Sequence, residues 1–149
     1  MNLIRNLKTY IKINREQRDT RYKSWRRRMK KILIVDDQVE VRELVEVTLR
    51  SGDYQVLQAE NGKKAIEIAR AEKPDLIIMD IMMPGDTDGL EATRVLKNDP
   101  QTTGCPIIIL TAKGQEDDRE QGLEAGADDY FVKPFSPLQL IQKVEEVLE

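Results

Sequence analysis

The sequence contains no histidine. That excludes His-based catalytic triads, zinc sites with imidazole ligands, and any role as a phosphohistidine donor. Cysteine occurs once, at Cys105, so no internal disulfide can form. Followed by Pro106 and an apolar run, Cys105 reads as a small core or edge residue, not a reactive thiol. No uninterrupted apolar run reaches the ~18 residues of a membrane span. The N-terminus also lacks the apolar block of a signal peptide, which makes a cytoplasmic protein the expectation.

What is present divides into two unlike parts. Residues 1–31 hold twelve Lys or Arg against Glu16 and Asp19, a net charge of about +10, whereas residues 32–149 hold twelve Lys or Arg against twenty-five Asp or Glu, about −13. A basic arm on an acidic domain follows, with 149 residues sufficing for one domain with a sizeable core plus some extra.

From Lys31 onward, apolar runs and helical stripes alternate. "KILIVDD" is an apolar strand closed by two carboxylates. Val39 to Ser51 carries apolar residues at Val41, Leu44, Val45 and Leu49, and Gly52 stops that helix. "YQVLQAE" alternates like a strand. "NGKKAIEIARAEKP" opens on a capping Asn61 and stops at Pro74. "DLIIMD", "CPIIILTA" and "DYFVKPF" read as strands three to five. "GLEATRVLKND", the polar "QEDDREQGLEAGA" ended by Gly126, and "SPLQLIQKVEEVLE" read as helices, the last with Ser136 as cap and Pro137 at the first helical position. Five strands alternating with five helices predict an α/β, doubly wound, five-stranded parallel sheet.

In such a sheet, function gathers beyond the carboxyl ends of the strands. Those ends carry Asp36 and Asp37 (strand one), Asp80 (strand three), Thr111 (strand four) and Lys133 (strand five). Three carboxylates together invite a hard, oxygen-seeking divalent cation such as Mg²⁺. Adding an ammonium and a hydroxyl gives a set suited to an incoming phosphoryl group, with a carboxylate as nucleophile. Taken singly, each residue also has an ordinary role: Asp36 and Asp37 as caps of the first helix, Asp80 as a loop carboxylate, Thr111 as a strand end, Lys133 as a solvated side chain. Met79, Met82 and Met83 read as strand-end and loop packing, and the acidic run Glu116 to Glu120 as a solvated helix face.

The pieces "ILIVDDQ", "PDLIIMDIMMPG…DGLE", "PIIILTA" and "GADDYFVKPF", in this order and at these spacings, resemble the receiver domain of two-component response regulators, the CheY-like (flavodoxin-like) fold. The resemblance covers about residues 29–149 and implies strand order 2-1-3-4-5. It implies that Asp80 is the phosphoacceptor, that Asp37 binds Mg²⁺ directly and Asp36 mainly through water, and that the carbonyl of Met82 is a further metal ligand. It also implies that Thr111 is the switch hydroxyl, Lys133 the phosphoryl-contacting lysine, Tyr130 the aromatic switch, and the Lys133–Pro134 bond cis. Met82 and Lys113 would flank the path of the hydrolytic water. One departure stands out: the turn from Met83 to Gly89 is one residue longer than the family's usual M-P-x-x-D-G.

The resemblance further implies a phosphoacceptor that assists its own phosphorylation and dephosphorylation and is not an enzyme in its own right. The partners implied are a sensor histidine kinase or phosphotransfer protein and a downstream protein reached by contact or onward phosphotransfer. The chain ends at Glu149 directly after the fifth helix, so a single-domain type with no output domain is the expectation. Two alternatives are an Mg²⁺-dependent phosphohydrolase working through an aspartyl phosphate and a nucleic-acid-binding regulator acting through the arm. Within the arm, residues 1–28, Leu3, Ile4, Leu7, Tyr10 and Ile11 follow helical spacing, and "RYKSWRRRMKK" adds Tyr22 and Trp25 to a basic run. A membrane-surface helix, a nucleic-acid arm, a partner-binding helix and a disordered tail are all open readings. So is a native start at Met29, since Trp25 to Arg28 can be encoded by a purine-rich ribosome-binding sequence.

Overall fold

The computed structural model describes residues 6–7, 9, 11–12, 14–18, 20, 29–83, 88–112 and 116–148. The ten elements expected from Lys31 onward are all there: β1 (Lys30–Val35), α1 (Val39–Arg50), β2 (Tyr54–Ala59), α2 (Gly62–Glu72), β3 (Leu76–Asp80), α3 (Gly89–Asn98), β4 (Ile107–Ala112), α4 (Glu116–Glu124), β5 (Asp129–Lys133) and α5 (Pro137–Leu148). The described residues between 6 and 20 are also helical, the helical alternative for the arm.

The five strands form one parallel sheet in the order β2-β1-β3-β4-β5. Strands β1, β3 and β4 lie inside it, which is why their sequences are apolar at nearly every position. Successive side chains point to opposite faces, and the core divides accordingly. Leu33, Val35, Ile77, Met79, Ile107 and Ile109 pack with Ala65 and Ala69 of α2 and Ala92 and Leu96 of α3. Ile32, Ile34, Leu76, Ile78, Ile108 and Leu110 pack with Val45 and Leu49 of α1 and Leu140 and Val144 of α5. Helix α4 covers the first face. A Cβ on Gly122 would stand 1.9 Å from Ile109 Cδ1, so only glycine lets this polar helix approach the sheet so closely.

Local signals set the helix ends. Asn61 Oδ1 accepts from the Lys64 N–H at 2.8 Å. Ser136 and Gln139 cap α5 reciprocally, at 3.2 and 2.9 Å. Gly126 follows α4 at φ 108°, a backbone conformation that glycine adopts freely. The cap reading of Asp36 and Asp37 does not hold: Gln38 occupies the N-cap of α1 without a side-chain cap bond. Asp36 Oδ1 instead accepts the Gln38 N–H, a turn that carries the chain from β1 into the helix.

The bottom of the sheet is fixed by two carboxylates. Asp75 Oδ2 accepts from Lys31 N, and Asp128 Oδ2 from Ile107 N, both at 2.8 Å. Each binds an N–H near the start of another strand and so helps set the register.

Asp88 caps α3 through the Glu91 N–H at 2.8 Å, and Gly89 follows at the first helical position. A Cβ at Gly89 would fall 2.1 Å from the Asp80 carbonyl oxygen and 2.6 Å from Ile81 Cα. Both are backbone atoms and cannot rotate aside. Gly89→Ala is expected to cost about 2–3 kcal/mol of stability, read from urea denaturation, because α3 must back away from the end of β3.

Candidate functional site

The parallel topology delivers four strand ends to one edge. Asp36 follows the last residue of β1, and Asp80 and Lys133 are the last residues of β3 and β5. Thr111 is next to last in β4, one residue beyond Leu110, the ladder partner of Asp80. Asp36, Asp80 and Thr111 are buried, while Asp37 is exposed. Carboxylate oxygens of Asp36, Asp37 and Asp80 lie within 4.8 Å of one another.

Lys133 joins the cluster from the far side. Its Nζ donates to Asp36 Oδ2 at 2.7 Å and lies 3.4 Å from Asp80 Oδ2. The shorter bond therefore goes to Asp36. Burial pulls the Lys133 ammonium downward, but the Asp36 hydrogen bond and the charges of both carboxylates outweigh it, and its pKa is raised overall. For Asp80, burial is the largest influence and pushes the carboxyl up, and the Asp36 charge adds to it. The Met82 N–H, 3.0 Å from Asp80 Oδ1, and Lys133 oppose this without cancelling it.

Asp36 is fastened at every polar atom. Its N–H donates to the Ala59 carbonyl at 3.1 Å, Oδ1 accepts from Gln38 N at 2.9 Å, and Oδ2 accepts from Lys133. Its carbonyl accepts from Arg42 Nη1 at 2.7 Å. Arg42 is in turn held by Gln58 Oε1 at 3.1 Å, and Gln58 donates to Glu46. The sequence reading missed Arg42. Its signal was a cation one turn into α1, too common on helices to single out.

Met79 and Met83 are buried as expected, but Met82 is 65% exposed and is not loop packing. Tyr130 is half-buried against the core face that holds Ile109, and the Arg119 guanidinium of α4 sits 4.1 Å over its ring. The Lys133–Pro134 bond is cis. Cys105 is half-buried against the core, and burial pushes its thiol up to about 12, in keeping with an inert side chain. The Glu116–Glu120 run is largely exposed. Residues 84–87 of the lengthened turn and Lys113 lie outside the described residues.

The response regulator receiver domain family matches residues 32–145, and the chain belongs to that family. It is 51% identical over 119 residues to the phosphate regulon transcriptional regulatory protein PhoB of Pseudomonas aeruginosa, covering 80% of this chain and 52% of PhoB. It is 48% identical over 118 residues to the transcriptional regulatory protein ResD of Bacillus subtilis, covering 79% of this chain and 48% of ResD. The chain thus spans about half the length of these curated relatives. Among solved structures, a putative response regulator from Chloroflexus aurantiacus superposes with a TM-score of 0.77 at 37% identity, covering 81% of this chain and 98% of that one. The chemotaxis response regulator CheY4 of Vibrio cholerae does so at 0.75 and 33%, covering 80% and 99%.

The raised Asp80 pKa has a thermodynamic consequence in metal-free protein. Between the ordinary carboxylate pKa and the raised one, the native state binds more protons than the unfolded state. Stability from this group is present below that window and falls as pH rises through it. Asp80→Asn is therefore expected to raise the metal-free melting temperature by a few degrees at neutral pH, with the gain over wild type shrinking at acid pH. Calorimetry in chelator across that range checks it.

Proposed function

We propose that this receiver accepts a phosphoryl group on Asp80 from the phosphohistidine of a sensor histidine kinase or phosphotransfer protein, in a Mg²⁺-dependent reaction in the cytoplasm. The observation that carries this reading is the sharing of one ammonium, Lys133, between the two buried carboxylates Asp36 and Asp80. That arrangement keeps a nucleophilic carboxylate positioned at the sheet edge with a cation already facing it.

The donor set fits Mg²⁺, being all oxygen and clustered. Asp37, exposed at the pocket, and Asp80 would ligate it directly, with the Met82 carbonyl. Both Asp36 oxygens already accept hydrogen bonds, which suits contact through water. Bound there, Mg²⁺ supplies positive charge to the phosphoryl oxygens.

The chain's own residues do the rest. An Asp80 carboxylate oxygen forms the new O–P bond as the P–N bond breaks, and that electron pair returns to the donor's imidazole. Lys133 turns part of its hydrogen bonding from Asp36 to a phosphoryl oxygen. The Thr111 hydroxyl donates to another, drawn inward by the new charge. Tyr130 occupies the same face as Thr111 and follows into the space vacated, leaving Arg119. The chain acts as a phosphoacceptor that assists its own reaction and does not turn over a substrate. The altered surface around α4, β5 and α5 then carries the signal to a downstream protein by contact or by onward phosphotransfer.

Incubation with acetyl phosphate and Mg²⁺ should add the mass of one phosphoryl group, and Asp80→Asn should abolish the gain. Labelling of the variant to the wild-type extent would place the acceptor elsewhere. Titration by calorimetry should find Mg²⁺ affinity reduced at least about tenfold in Asp37→Ala, since a directly ligating carboxylate is lost. Asp36→Ala should lose less.

A further inference from the structure

The helical residues of the arm are braced within their own segment. Thr20 Oγ1 donates to the Glu16 carbonyl at 2.8 Å and Arg18 Nε to the Asn14 carbonyl at 3.4 Å, both one turn back. Leu7 and Ile11, one turn apart, are 58% and 55% exposed. By 3.6-residue spacing, Lys12 and Arg15 lie on the arc beside them. Tyr22 and Trp25 follow within a run of further arginines and lysines.

A nucleic-acid duplex, the chain's own domain and a lipid surface differ in what they offer such a segment. A nucleic-acid duplex offers phosphates but no apolar layer for Leu7 and Ile11. The chain's own acidic domain offers charge, yet it does not cover these two side chains. An anionic lipid surface offers both, and tyrosine and tryptophan favour its headgroup depth.

We propose that the described helical residues of the arm act as a basic amphipathic anchor lying in the plane of an anionic lipid surface, with Leu7 and Ile11 inserted among the acyl chains and Lys12 and Arg15 against the headgroup phosphates. The acidic body, at about −13, is repelled by the same surface. The anchor therefore holds the receiver near the membrane while its pocket stays in solution. Among the described residues, no helix is long and apolar enough to cross a membrane, so the attachment is peripheral.

The test is sedimentation of the full-length chain with vesicles of phosphatidylcholine alone and of phosphatidylcholine with phosphatidylserine. Binding is expected to the second and not the first, and to weaken as salt is added. The double variant Leu7→Ser, Ile11→Ser keeps every charge and should bind at least about tenfold more weakly, with an unchanged circular dichroism melting curve for the domain. No binding to the anionic vesicles, or equal binding by wild type and double variant, would overturn the anchor. So would tighter binding to duplex DNA than to vesicles at the same salt, if the double variant retains it, since that result assigns the arm to nucleic acid.

Discussion

Two carboxylates, Asp36 and Asp80, are buried a few ångströms apart at the edge of a hydrophobic sheet, and the Lys133 ammonium is what makes that placement tolerable. An unpaired charge in such a site costs several kcal/mol. The rest of the architecture can be seen as the means of bringing this cation to those anions. Lys133 arrives 97 residues after Asp36, from the far edge strand, and the parallel direction of all five strands delivers it to the same edge. Removing the ammonium would leave the pocket overfilled with negative charge, and removing either carboxylate would ease it.

The pocket is also asymmetric in rigidity. Asp36 is fixed through its N–H, its carbonyl and both side-chain oxygens, with Arg42 and Gln58 extending the brace to α1 and β2. Asp80 is held at one oxygen by Met82 N and faces Lys133 with the other. Asp37 is exposed. A rigid anion beside a more lightly held one suits a division of labour in which the first sets the field and the second meets an incoming ligand.

Much of this was legible in the residues. Apolar runs closed by Asp36, Asp80 and Lys133 announced both the strands and their functional ends, because a parallel sheet buried on both faces needs continuous hydrophobic strands and leaves only their tips polar. Asn61, Ser136 and Gly126 marked helix ends through local chemistry that works without tertiary context. The partner of Lys133 was not legible, since choosing Asp36 over Asp80 is a matter of tenths of an ångström in the packed fold. Arg42 escaped for a related reason: its role depends on where the Asp36 carbonyl points, which no spacing encodes. Gln38 displaced the expected aspartate cap because Asp36 was already engaged with the chain's turn and with Lys133.

The alternation of side chains across the sheet separates two territories. Thr111 lies two residues after Ile109 and so shares its face, the side covered by α2, α3 and α4, where Tyr130 also packs. Phe131 and Phe135 belong to the other side, with α1 and α5. The sheet is thus a bulkhead between them, with the acidic cluster at its upper rim. A disturbance at that rim that moves Thr111 presses first on the compartment of Tyr130 and α4, and it reaches α5 through β5, whose side chains alternate between the two sides, so the edge strand is a passage from a chemical event on one face to a surface on the other.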